Sequence, residues 1–88
     1  ITEKGMKTAF ENINSGVRQC DAVAEIQKSL ISGTPEFGGD YSSIVPMLPT
    51  GKGTSASHLT WTEEKFIKGE ATIVELAGVY KKYHCPMA

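Results

Sequence analysis

Cysteine is scarce: Cys20 and Cys85 are the only two in 88 residues, and most of the chain separates them. Small secreted scaffolds carry cysteine far more densely, and no CxxC motif is present. A disulfide framework, a structural zinc site and a dithiol redox centre are therefore disfavoured, and both thiols are expected free. An excess of charge of one sign is also missing. The net charge is −1, with basic and acidic residues scattered through both halves, so there is no basic stripe for nucleic acid and no polybasic patch for a membrane surface. Long apolar runs are lacking too. None approaches the ~20 residues that cross a bilayer, and Glu3, Lys4 and Lys7 interrupt any signal-peptide core at the start. A cytoplasmic protein is expected, without nucleic-acid or membrane partners.

What is present suits one small domain or a piece of one, since a chain of this length buries a modest core. It opens on Ile1 and stops at Ala88 in a strand-like stretch, which reads as a fragment of a longer protein. Met6, Ala9, Phe10 and Ile13 recur at steps of three and four and predict an amphipathic helix over 3–14, stopped at Asn14-Ser15-Gly16. Ala22, Val23, Ile26 and Leu30 predict a second helix over 20–32, with Asp21 and Glu25 toward its positive end and Gly33-Thr34-Pro35 after it. Such a helical pair must cover something apolar, and the rest of the chain supplies strands. A short strand is expected over 41–47, closed by Pro46 and Pro49, and a brief extended segment over 57–61. Residues 63–68 read as a solvated connector. A strand over 71–77, a turn at Tyr80-Lys81-Lys82 and a returning strand over 83–88 complete an antiparallel sheet, so the fold class is α+β.

The loop over 50–55 holds two glycines and a lysine, but the Walker spacing and the strand-loop-helix context are absent, so it is expected to be a mobile connection or gate over a pocket. Glu75 is the anomaly of the sheet. An ionised carboxylate within an apolar strand must be paired, protonated or bound to a cation. His84 and Cys85 are adjacent in a strand and so point to opposite faces, which argues against a nucleophilic dyad. By residue type alone, His58 and Glu75 can each be structural, and Phe37, Tyr41 and Trp61 can each be core or pocket lining.

The segments Gly5-Met6-Lys7-Thr8-Ala9, Gly16-Val17, Glu25-Ile26, Gly38-Gly39-Asp40, His58, Lys68-Gly69-Glu70, Val74-Glu75-Leu76, Tyr80 and Tyr83 occur in one order, with His58 preceding Glu75 by 17 positions. This ordered set resembles the "pita-bread" hydrolases, the creatinase/aminopeptidase/prolidase superfamily, over essentially the whole chain. The resemblance implies two helices packed on a curved antiparallel sheet, the N-terminal half of a pita-bread domain. A further N-terminal domain would precede it and a C-terminal half would follow.

The departures from that pattern carry chemistry. Where metal-dependent members place two aspartates on the strand pair, this chain has Glu75 and Pro86, and Pro86 has no side-chain donor. One carboxylate rarely holds a divalent ion, so no metal and no cofactor is expected. The wording Gly-Gly-Asp-Tyr, Ser-His-Leu-Thr-Trp and Tyr-His-Cys-Pro is most similar to the creatinase and ectoine hydrolase-like branch, whose members hydrolyse unusual C–N bonds. That likeness implies a metal-independent hydrolase of a small-molecule cyclic amidine or amide, homodimeric as a whole protein. His58 would be its general acid and base, since histidine is the side chain whose ordinary pKa lies near neutrality. Glu75, Tyr41 and Trp61 would bind the substrate. Two other readings stay open: a metal-dependent Xaa-Pro dipeptidase or aminopeptidase with a variant ligand set, and a non-catalytic pita-bread binding module.

Overall fold

The computed structural model describes all 88 residues. It contains α1 (Thr2–Asn12), α2 (Gln19–Ser32), a 3-10 turn (Gly51–Ser55), β1 (Leu76–Tyr80) and β2 (Tyr83–Met87). Both expected helices form, with ends shifted by a residue or two. In α1 the buried arc consists of Thr2, Gly5, Met6 and Ala9, and Ile13 packs against the core just beyond. Phe10, expected on that face, is 74% exposed. It lies one residue past Ala9, and the helical turn carries it off the edge of the arc. In α2, Ala22, Val23, Ile26 and Leu30 are buried as the spacing predicts. The two helices pack on each other, and Lys4 of α1 donates to the Gly33 carbonyl and the Ser32 hydroxyl, placing a cation at the negative end of α2.

The sheet is antiparallel, as expected, but its central part is irregular. β1 and β2 pair in the register Leu76 with Met87 through Tyr80 with Tyr83, around a Lys81-Lys82 turn in which both residues have positive φ. That backbone matches the right-handed twist of a two-residue hairpin. The strand expected over 41–47 is a correction. Residues 41–45 pair with nothing as a strand, and pairing begins at Met47, which exchanges both backbone hydrogen bonds with Glu75 (2.8 and 3.0 Å). Of the strand expected over 71–77, residues 71–75 pair only through such isolated bridges, and the regular strand starts at Leu76. The ladder continues as Ile73 N–H to the Pro49 carbonyl (3.0 Å) and Gly51 N–H to the Ala71 carbonyl (2.9 Å). Each pair in that register sums to the same number, so this is one antiparallel ladder lacking a rung where Pro49 has no N–H. On its other edge the Leu48 N–H reaches the Thr60 carbonyl at 2.7 Å, which draws the 57–61 segment alongside.

Leu48 and Leu76 point to the helices and join Met6, Ala9, Ile26 and Leu30 in the core. Phe66 is also buried there, which corrects the reading of 63–68 as merely solvated. Its backbone bonds to Gly16 and Val17, tying that connector to the loop between the helices. Finally, the Thr2 hydroxyl accepts from the Gly78 N–H (3.0 Å) and donates to the Cys85 carbonyl (2.7 Å), so the start of α1 is fastened to the hairpin.

Candidate functional site

Strand parity positions Glu75. Along the ladder, residues 48, 74 and 76 face the helices, so residues 47, 49, 73 and 75 face the other way. Glu75 therefore leaves the core, and its side chain keeps 31% of its exposure. A cleft of about 360 Å³ opens on that face, floored by Met47, Pro49 and Ile73. Its far wall is the arm that leaves the ladder at Gly51, passes through the 3-10 turn and ends at His58, bringing the hydroxyls of Thr54, Ser55 and Ser57 to the rim. His58 has φ +59° and a side chain that is 71% exposed. Its Nε2 stands 3.6 Å from Glu75 Oε2. That is ion-pair range and slightly too long for a hydrogen bond. Glu75 and His58 are the only ionisable groups lining this cleft.

The aromatic residues expected beside them lie elsewhere. Trp61 packs against the core and lines a separate cleft of about 370 Å³ with Lys52, Lys65, Glu70 and Leu59. Leu48 and Thr50 belong to that second cleft, so it opens on the opposite face of the same ladder. Tyr41 is 70% exposed, and the Lys82 ammonium sits 4.4 Å from its ring centre. Neither ring lines the cleft of His58 and Glu75, because Tyr41 precedes the ladder and Trp61 leaves it on the helix side. Phe37 meets Tyr80 edge to face at 5.1 Å, also away from the cleft.

One cluster was not foreseen from the sequence. The Asp40 carboxylate pairs with Lys82 at 2.8 Å and accepts the Tyr41 N–H, and both interactions hold its pKa below the usual carboxylate range. Beside it, His84 Nε2 accepts the Ser43 N–H at 3.0 Å while Nδ1 faces the Lys82 carbonyl at 3.0 Å, an arrangement that fits the neutral imidazole protonated at Nδ1. The loop over 40–44 is thus fixed to the hairpin by side chains instead of strand pairing. Cys85 and Cys20 are free thiols, and Cys85 does not share a face with His84.

The donor set does not fit a divalent ion on its own. No group of three or more His, Cys, Asp or Glu side chains converges within these residues, and Pro86, paired with Ala77 across the hairpin, supplies no ligand atom.

Residues 1–88 match the metallopeptidase family M24. The chain is 52% identical over 84 residues to an ectoine hydrolase of Halomonas elongata, an alignment that covers 90% of this chain and 21% of that protein. It is 35% identical over 88 residues to a Sinorhizobium fredii protein described as an uncharacterized hydrolase/peptidase, covering all of this chain and 22% of that one. The chain thus spans about a fifth of the length of these curated relatives. With the family matched from end to end, the chain belongs to metallopeptidase family M24.

Proposed function

We propose that this chain is part of a hydrolase that opens the C–N bond of a cyclic amidine or amide, with ectoine as its first candidate substrate, and that it does so without a metal ion. The reading is carried by the 3.6 Å approach of His58 to Glu75 across a cleft whose other lining is uncharged. A cyclic amidine is cationic when protonated, and Glu75 is the group that would hold it. Water then attacks the amidine carbon, and His58 takes the proton that the water gives up as the new C–O bond forms. When the C–N bond breaks, the same imidazole returns that proton to the leaving nitrogen. Glu75 offsets the positive charge that His58 carries between those two transfers. The 52% identity to an ectoine hydrolase supports this substrate class. The whole protein is proposed to be a cytoplasmic homodimer with a preceding N-terminal domain, as the family likeness implies.

The test is turnover of ectoine by the full-length protein after exhaustive chelation. Activity should survive chelation, and His58→Ala should lower kcat by about 10²- to 10⁴-fold, the range for losing a positioned acid-base group. Activity that disappears on chelation and returns with zinc, manganese or cobalt would overturn the metal-independent reading. Unchanged turnover in His58→Ala would remove the acid-base role.

A further inference from the structure

The arm that carries His58 depends on a hydroxyl pair on the other face of the sheet. We infer that Thr72 is a positioning residue for His58: its hydroxyl bonds to that of Thr50 and fixes the point at which the arm leaves the ladder. The inference rests on the proposed role of His58. Pro49 removes one rung of the ladder, so the stretch between the two hydrogen bonds of Met47 with Glu75 and the bond from Gly51 to Ala71 is held by the single bond from Ile73 to Pro49. Thr50 and Thr72 face each other within that weakened stretch as a non-hydrogen-bonded backbone pair, the geometry that brings cross-strand side chains closest. Their Oγ1 atoms are 3.0 Å apart. Thr50 Oγ1 also lies 3.0 Å from the Leu48 carbonyl, which can only accept. Thr50 therefore donates to Leu48, and Thr72 donates to Thr50. This relay of hydroxyls stands in for the rung that Pro49 cannot make.

Everything beyond the relay belongs to the arm. Gly51 has φ +59°, and a Cβ there would fall 2.6 Å from a Glu70 carboxylate oxygen, so the chain turns sharply at that residue. The 3-10 turn is closed by Gly53 N–H to the Thr50 carbonyl (3.0 Å) and by the Thr54 hydroxyl to the Gly51 carbonyl (2.7 Å). Thr50 is thus both the middle of the relay, through its hydroxyl, and the acceptor, through its carbonyl, that starts the turn leading to His58. His58 itself is mostly exposed and its only charged neighbour is Glu75. A shift at Thr50 passes along the turn to the imidazole, and catalysis is sensitive to displacements of about 1 Å.

The experiment uses the full-length protein with Thr72→Val, which keeps the shape and removes the hydroxyl, and Thr72→Ser, which restores it. With ectoine as substrate, Thr72→Val should lower kcat about tenfold with KM changed by less than about twofold, and Thr72→Ser should recover the parent kcat. A second readout is independent of turnover. The His58 Cε1–H resonance, assigned by its loss in His58→Ala, should move on Glu75→Gln in the parent and lose that response in Thr72→Val. Parent-like kcat and an undiminished response in Thr72→Val would overturn the inference. Full turnover in His58→Ala would instead overturn the acid-base reading, while the resonance still reports on positioning. Should Thr72→Val not fold, Thr50→Val cuts the same bond from the other strand, and the same changes or their absence decide the matter.

Discussion

Replacing Glu75 by glutamine tests the electrostatic half of the proposed site, because it keeps the shape and removes the charge. Two unit charges about 4 Å apart interact by about 1 kcal/mol in bulk water and about 4 kcal/mol at an effective dielectric constant near 20. The side chain of Glu75 keeps 31% of its exposure and the neighbouring His58 keeps 71%, so a cation held in this cleft is partly screened and falls between those limits. A value of about 2 kcal/mol corresponds to a rise of about 30-fold in KM for a cationic cyclic amidine. In the proposed role Glu75 holds the cationic substrate and also offsets the charge on His58 during proton transfer, so its loss should raise KM by this factor and lower kcat as well. Glu75→Asp keeps the charge but withdraws it by one methylene, and should lie between parent and Glu75→Gln. The assay is steady-state hydrolysis of ectoine by the full-length protein, with binding of a neutral cyclic amide of similar shape as the control. A KM for ectoine that moves by less than about threefold would refute the reasoning, as would an equal loss of affinity for the neutral amide.

Two further predictions concern the frame around the site. A Cβ on Gly39 would lie 1.8 Å from the Leu30 carbonyl oxygen and 2.9 Å from its carbon, and backbone at the end of α2 cannot move aside as a side chain would. Gly39→Ala should therefore destabilise the protein by about 3 kcal/mol, read from the midpoint of urea unfolding, and a loss below about 1 kcal/mol would contradict the close approach. For Asp40, the folded carboxyl has a depressed pKa, first through its hydrogen bond from Lys82. Its stabilisation is therefore complete above the ordinary carboxylate range and disappears as the pH falls through the depressed value. Hydrogen exchange at the Tyr41 amide, which the Asp40 carboxylate accepts, should lose protection in that acid window. Asp40→Asn should abolish this pH dependence, and a profile unchanged by the substitution would refute the assignment.

Much of the frame is legible in the sequence because its periodicities are local. Ala22, Val23, Ile26 and Leu30 mark one face of α2 whatever the rest of the chain does, and they are buried. The turn at Lys81-Lys82 follows from two strand-like runs separated by two polar residues. The segment over 41–45 misleads for a physical reason. Its Ile44 and Val45 have strand propensity, yet they stand just before Pro46, and the available partner, residues 71–75, is already paired with 47–51. Side chains hold this loop instead, through Asp40 with Lys82 and Ser43 with His84, and such long-range pairs leave no periodic trace. Phe10 misleads differently, since a step of four from Met6 resembles burial until the full arc with Thr2, Gly5 and Ala9 is drawn.

At the site, the anomaly of Glu75 was visible and its explanation was not. The run Ala71-Thr72-Ile73-Val74-Glu75-Leu76-Ala77 reads as buried on both sides, and a carboxylate inside it reads as a costly exception. The register removes the exception. Val74 and Leu76 face the helices, whereas Ile73, 49% exposed, shares the open face with Glu75. A strand that is apolar on both faces but covered on only one leaves a cleft with an aliphatic floor and a single acid. The family resemblance nominated His58 for the same site as that acid, but the approach of the two depends on where the arm leaves the ladder. Register fixes that point through Thr50 and Thr72, whose side chains carry no catalytic signature. The family resemblance could therefore nominate the two proposed site groups, while the residues inferred to bring them together become visible only once the strands are paired.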